Sequence, residues 1–390
     1  MIDVLLLFFV VVLVTFVFGE LFFRFHLSRS IGQIIAGLIL GLPFFSGFIS
    51  VEGNSMILLL SEIGIIFLLI LTGLEIDLTK IKGCSRDVVV LAVFSVLVPF
   101  ALGIAFGLWM GYSLLISFVL GAVLSVTSEA TKSIVLMQKK VLKTRLGEIM
   151  LLAGVVDDFF ELIFLSAILL LVGGTTTQQL IFLPIEIIGF LLAVFIALKL
   201  LPKFVSLFKQ ESDDGYFTLA VLIGLGIALL SNALSLGTIV GAFIAGLLLK
   251  KAFKSEKVDH AIQKNLKVVT FALVIPFFHL HIGLNASFQN LVLHPFLILG
   301  VLIIAFAGKM WGVLAATPLT DLKPNQLMLV GWGMNSRGFM ELIILSIAFA
   351  QIPFFPPELY TAIVFTTIIT TVAFPIALQY YLKKYPDIMN

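Results

Sequence analysis

Residues 151–166 read LLAGVVDDFFELIFLS, which sets two adjacent aspartates, Asp157 and Asp158, inside an apolar run, with Glu161 one turn beyond Asp157. A bare carboxylate in such surroundings is poorly solvated. A proton relieves that cost, and so does a small hard cation, which prefers oxygen ligands. One group with two mutually exclusive ligands is the chemistry of exchange. Three basic residues, Lys132, Lys309 and Arg337, lie in equally apolar stretches. Ionisable groups at membrane depth mark functional sites by default.

The elements that must position these groups are membrane helices. Charged residues make up 12% of the 390-residue chain, against roughly 25% in a soluble domain, and mean hydropathy is +1.19. The apolar residues come in long blocks, which predicts an all-α polytopic membrane protein. A net charge of +2 gives no reason to expect a nucleic-acid partner. The single cysteine, Cys84, excludes an internal disulfide framework and a cysteine-based metal site. No cofactor is expected. The first apolar block has no basic leader and no small-residue cleavage site, so it is expected to be retained.

A helix needs about 20 apolar residues to cross a bilayer. The sequence predicts thirteen spans, at 2–25, 30–46, 55–76, 87–110, 113–138, 146–172, 179–201, 216–234, 236–252, 266–284, 290–319, 325–350 and 357–382. The connectors WMGY and SNALSL are expected to be turns. With this count, every one of the 24 Lys and Arg residues except Lys132, Lys309 and Arg337 falls on one side. The positive-inside rule then predicts a cytoplasmic C-terminus and an outside N-terminus.

SIGQIIAGLIL (30–40) resembles SLGTIVGAFIAGLLL (235–249), and FLLILTGLEIDL (67–78) resembles PFFHLHIGLNAS (276–287). Both pairs are offset by seven spans, so the copies lie upside down relative to each other. Inverted repeats are a hallmark of secondary transporters. The expected organisation is a single transmembrane domain: one repeat over about 1–172, a linker helix over about 179–201, and a second repeat over about 216–382.

Counting from the cytoplasmic ends brings Glu129, Asp157, Lys309 and Arg337 ten to twelve residues in. At about 1.5 Å per residue, all four reach the middle of the bilayer. Two of their spans look broken. SVTSEATKS (125–133) mixes hydroxyls and charges into the apolar pattern, and GWGMNSRGFMEL (331–342) carries three glycines around Asn335 and Arg337. Glycine weakens a helix, and Ser, Thr and Asn compete for its backbone groups. The two spans are repeat mates, so two crossing discontinuous helices are expected, with freed carbonyls and half-helix ends able to hold ions.

GVVDDFFEL, then FAGKMWG, then GMNSRGFMELI, together with TSEATKSIVL and LTGLEIDL, resemble the monovalent cation:proton antiporter-2 family over essentially the whole chain. The resemblance implies a sodium/proton or potassium/proton exchanger of the cell membrane, often a homodimer, and here one of the short members without a regulatory domain. It implies that Asp158 is the main cation and proton carboxylate, and that Asp157 pairs with Lys309. It implies that Thr127 and Ser128 offer oxygens from the broken helix. Glu129 and Lys132 depart from the small or apolar residues usual there, as do His279 and His281 from theirs.

Successive helical residues lie about 100° apart, so Asp158 can face a cavity while Asp157 faces a neighbouring helix. Lys309 is either a fixed counter-ion or a group that also releases a proton. Arg337 is expected to be structural, neutralising helix C-termini and carbonyls, with Glu341 at i+4 as its simplest partner. Glu129 is a further candidate ion ligand, alone or paired with Lys132 at i+3. Glu161 extends the acidic face. Glu75 is a structural or gating charge. His279 and His281, at i and i+2, do not share one helical face, so a paired metal site is not expected, and a pH-sensing role is the alternative. The resulting expectation is antiport of a monovalent cation for protons, sodium ahead of potassium or lithium, rather than enzymatic catalysis. Two rivals are a sodium-coupled organic-anion symporter and an intramembrane aspartyl protease. The protease needs aspartates facing each other from two helices in Tyr-Asp and Gly-x-Gly-Asp settings, which this chain lacks.

Overall fold

In the computed structural model the described residues are 4–25, 27–45, 51–75, 85–173, 192, 194–197, 199–203, 205, 213–234, 237–253 and 256–389. All regular structure among them is helical: α1 Val4–Arg24, α2 Arg29–Leu40, α3 Val51–Glu75, α4 Arg86–Trp109, α5 Leu114–Ser125, α6 Glu129–Gln138, α7 Arg145–Gly173, α8 Asp213–Ala233, α9 Thr238–Ala252, α10 Glu256–Val269, α11 Ile275–Asn285, α12 Phe288–Leu293, α13 Pro295–Ala315, α14 Pro324–Met334, α15 Phe339–Gln351 and α16 Pro357–Lys384. Seven are long and apolar enough to cross a bilayer: α1, α3, α4, α8, the continuous α10–α11, α13 and α16. The 29-residue α7 is also long enough, but Glu148, Asp157, Asp158 and Glu161 interrupt its apolar run.

The expected spans 113–138 and 325–350 are each two helices, α5 with α6 and α14 with α15. The expected span 290–319 divides before Pro295, whose fixed φ suits the first helical position of α13. The expected span 266–284 begins ten residues earlier, because Val258, Ile262 and Leu266 recur at helical spacing within a charged stretch. A five-residue π-turn, Thr270–Val274, joins α10 to α11. The expected span 179–201 lies largely outside the described residues. The WMGY turn forms as expected, with Gly111 at φ 83°, a region glycine enters without penalty. Ser113 then caps α5, accepting from the Ile116 N–H.

The helices form two compact units. The first comprises Met1–Leu13, Gly47–Asp77 and Ser166–His281. Within it α3 meets α9 where a Cβ added to Gly73 would stand 2.9 Å from the Gly246 Cα. At the end of α3, Glu75 pairs with Lys267 at 2.5 Å, and Gln263 donates to the Leu74 carbonyl at 3.4 Å.

The second unit comprises Val14–Ser46, Leu78–Leu165 and Ile282–Asn390. There a Cβ on Gly283 would stand 2.8 Å from the Gly37 Cα. This is a glycine-on-glycine contact between segments that resemble, in sequence, the two that meet in the first unit. In the same unit, α4 is flanked closely on two sides. A Cβ on Gly103 would lie 2.6 Å from the Gly121 Cα of α5, and a Cβ on Gly308 of α13 would lie 2.7 Å from the Pro99 Cβ. The second contact fixes the residue next to it, Lys309. Leu91, Met150, Val330 and Phe374 belong to one buried apolar cluster that joins α4, α7, α14 and α16.

Candidate functional site

The first interruption follows Ser125. Val126 is extended (ψ 147°), and Ser128 (φ −84°, ψ 110°) accepts from the Thr131 N–H to start α6. Hydroxyl residues offer the backbone such alternatives to a continuing helix. The second interruption runs from Asn335 to Gly338, whose extended backbone (φ −163°, ψ −136°) precedes α15. The two interruptions bond to each other. The Ser128 N–H donates to the Ser336 carbonyl at 2.8 Å, and the Thr127 hydroxyl donates to the Met334 carbonyl at 3.0 Å. Arg337 reaches back with both arms of its fork, Nη1 to the Val123 carbonyl and Nη2 to the Leu124 carbonyl, each at 2.8 Å. Those carbonyls lie in the last turn of α5 and lack helical partners, so a cation there opposes the negative end of the helix. These carbonyls, and not Glu341, take the hydrogen bonds of the two Nη atoms. Thr371 of α16 donates to the Arg337 carbonyl at 3.0 Å.

Around Asp157 the site is sealed. Asp157 and Lys309 are both fully buried, with Nζ 3.7 Å from Oδ2. That is an ion pair longer than a hydrogen bond. The same Nζ donates to the Thr127 hydroxyl at 2.7 Å and to the Ser125 carbonyl. Glu161, also buried, accepts from the Thr127 N–H through Oε1 at 3.2 Å. Its Oε2 has no hydrogen-bond partner among the described residues. Thr127 is thus held by Lys309, Glu161 and Met334 together.

Around Asp158 the enclosure is less complete. Asp158 and Glu129 keep partial exposure, whereas Thr127, Lys132, Asp157, Glu161, Lys309, Arg337 and Glu341 are buried. The Asp158 and Glu129 carboxyls are neighbours whose negative charges repel. Glu129 is the first residue of α6, so the positive end of that helix favours its charge. Two carboxyls this close resist ionising together unless a cation or a proton lies with them.

The second unit therefore gathers Thr127, Ser128, Glu129, Lys132, Asp157, Asp158, Glu161, Lys309, Arg337 and Glu341. Glu75, His279 and His281 belong to the first. Sequence reasoning expected Arg337 to neutralise a helix C-terminus and its carbonyls, as it does at Val123 and Leu124, but did not name those two residues, and it missed the carbonyls of Ser125 and Met334, which carry no side-chain signal. It also missed Gly154, whose smallness one turn before Asp158 was legible. Among the described residues, no three His, Cys, Asp or Glu side chains are gathered to hold a resident metal ion.

Comparison with known proteins bears on this arrangement. A family model described as sodium/hydrogen exchanger, transmembrane, matches residues 5–384. A Na(+)/H(+) antiporter of Enterococcus hirae is 29% identical over 369 residues, covering 93% of each chain. The Na(+)/H(+)-K(+) antiporter GerN of Bacillus cereus is 27% identical over 363 residues, 93% of this chain and 92% of its own. Among solved structures, the sodium proton antiporter MjNhaP1 from Methanocaldococcus jannaschii shares the fold. It has a TM-score of 0.68 over 96% of this chain and 95% of that one, at 15% identity. With a match over nearly its whole length, this multi-pass membrane protein belongs to the sodium/hydrogen exchanger family, whose members are transporters and not enzymes.

Proposed function

We propose that the protein exchanges a monovalent cation, sodium foremost, for protons across the cell membrane by alternating access. Asp158 is the carboxylate that binds either one. The observation that carries this reading is the contrast on α7: Asp157 is sealed against Lys309, while its neighbour Asp158 stays partly exposed beside Glu129. The cation takes its oxygens from Asp158, Glu129, the Ser128 hydroxyl and freed carbonyls of the interruptions. Thr127 joins them when Lys309 releases it. The site carrying a bare carboxylate pair is the costly state, and a proton or a cation each removes that cost. Movement of the loaded site alone enforces exchange. If the Asp157–Lys309 pair also passes a proton, two protons move per cation. The cycle then carries one net charge, worth about 2.3 kcal/mol per 100 mV.

Several finer features complete the proposal. The chain makes thirteen spans, with the N-terminus outside and the C-terminus cytoplasmic. It is organised as two inverted repeats, about 1–172 and about 216–382, joined by a linker helix at about 179–201, and the two interrupted helices cross. The paired contacts Gly73–Gly246 and Gly283–Gly37 support the repeats, and the hydrogen bonds between the interruptions support the crossing. The working unit is a homodimer. The test uses purified protein in proteoliposomes at clamped voltage, with pulses of sodium, potassium and lithium. Saturable proton efflux in response to sodium is expected, and no proton movement with any alkali cation would end the proposal.

A further inference from the structure

Among the described residues, Lys132 is the one buried cation without a task in the proposed cycle. It is fully buried and sits one turn after Glu129 on α6. Its Nζ lies 3.6 Å from the Met334 thioether of α14, a weak acceptor. On α7 it is received by a glycine: a Cβ on Gly154 would stand 2.8 Å from Nζ and 3.4 Å from the Glu129 Cγ. Gly154 lies four residues before Asp158, on the same face of α7. The ionisable groups around Lys132 are Glu129 from its own helix, Asp157, Asp158 and Glu161 from α7, and the like charge of Lys309 from α13. A space-filling role would be met by methionine without burying a charge, and α7 would then have no reason to give up a side chain at 154.

The other two buried cations among the described residues are already committed. Lys309 serves Asp157 and Thr127, and Arg337 serves the end of α5. We propose that Lys132, seated on Gly154, is the fixed counter-charge of the Glu129–Asp158 carboxyl pair. It offsets the charge of the pair and keeps its grip on the transported cation loose enough for release. Lys132 is then a positioning residue that acts through the carboxyls. The inference rests on the exchange reading and refines it.

The experiment is the pH profile of sodium-driven proton flux in proteoliposomes of Lys132→Gln, Lys132→Arg, Gly154→Ala and the Lys132→Gln/Gly154→Ala double variant. A neighbouring charge moves a carboxyl by one unit or more. Lys132→Gln is therefore expected to move the acid-side midpoint up by about one pH unit and to lower the sodium KM at alkaline pH several-fold. Lys132→Arg keeps the wild-type midpoint. Gly154→Ala displaces the ammonium and moves the midpoint part of the way, and adds nothing when Lys132 is already Gln. A Lys132→Gln protein with the wild-type midpoint overturns the inference, as does Lys132→Arg shifting as far as Lys132→Gln. Should Lys132→Gln not fold, an unshifted Gly154→Ala profile overturns it instead. Wild-type protein without sodium-driven flux sinks the exchange reading itself, which keeps the two failures apart.

Discussion

Asp157 looks toward Lys309 with both side chains fully buried, whereas Asp158, one residue on, keeps exposed surface beside Glu129. The residue type and depth are the same, and only the neighbours differ. On the sealed side each charge is tied to the interruptions: Lys309 to Thr127 and Ser125, Arg337 to Val123 and Leu124, Glu161 to the Thr127 N–H. On the less enclosed side two carboxyls are neighbours. The difference teaches that breaking two helices in a membrane requires fixed charges to hold the loose ends. On the exchange reading proposed above, Asp158 and Glu129 are the carboxyls that trade ligands.

This contrast can be broken by substitution. Removing one partner of a buried ion pair costs about 3–5 kcal/mol, so Lys309→Met should fold poorly, with the melting temperature in detergent falling the most of any change considered. Adding Asp157→Asn to it should restore much of that loss. If Lys309→Met stays fully stable, the sealed side is not structural. Next comes Arg337→Gln, which strands two carbonyls. Charge-assisted hydrogen bonds contribute roughly 1.5–3 kcal/mol, and a comparable loss of stability should appear in chemical denaturation. Arg337→Lys should not repair it, since an ammonium lacks the fork that spans both carbonyls.

On the less enclosed side the order of effects reverses. Glu129→Gln should leave the melting temperature near wild type while raising the sodium KM several-fold. Loss of the fold with intact affinity in the survivors would erase the distinction between the two sides. The smallest effect belongs to Glu75→Gln in the first unit. Its pair with Lys267 joins two roughly half-exposed side chains, and such pairs contribute about 0–1 kcal/mol. A larger stability change, or any change in sodium KM, would assign Glu75 more than a local clasp.

Much of this was legible from residue order. Charge in apolar blocks marked Asp157, Lys309 and Arg337, all three buried, and hydroxyl and glycine clusters marked both interruptions. The pairing of Asp157 with Lys309 followed from family resemblance. Less visible were contacts whose acceptors are backbone. Glu341 at i+4 looked like the natural partner of Arg337, yet the carbonyls of Val123 and Leu124, more than 200 residues away in the chain, take its Nη hydrogen bonds. Thr127, which the resemblance marks as an oxygen donor to the ion, also accepts from Lys309, a contact that residue order does not show. The start of α10 was missed because hydropathy alone defined the spans, while Ile262 and Leu266 carry their signal in periodicity.

The most direct measurement compares Asp158→Asn with wild type in sodium-pulsed proteoliposomes, after matching the two for folded protein by melting temperature. The account predicts an Asp158→Asn protein as stable as wild type that moves no protons in response to sodium. Proton exchange at the wild-type rate in that variant would contradict it.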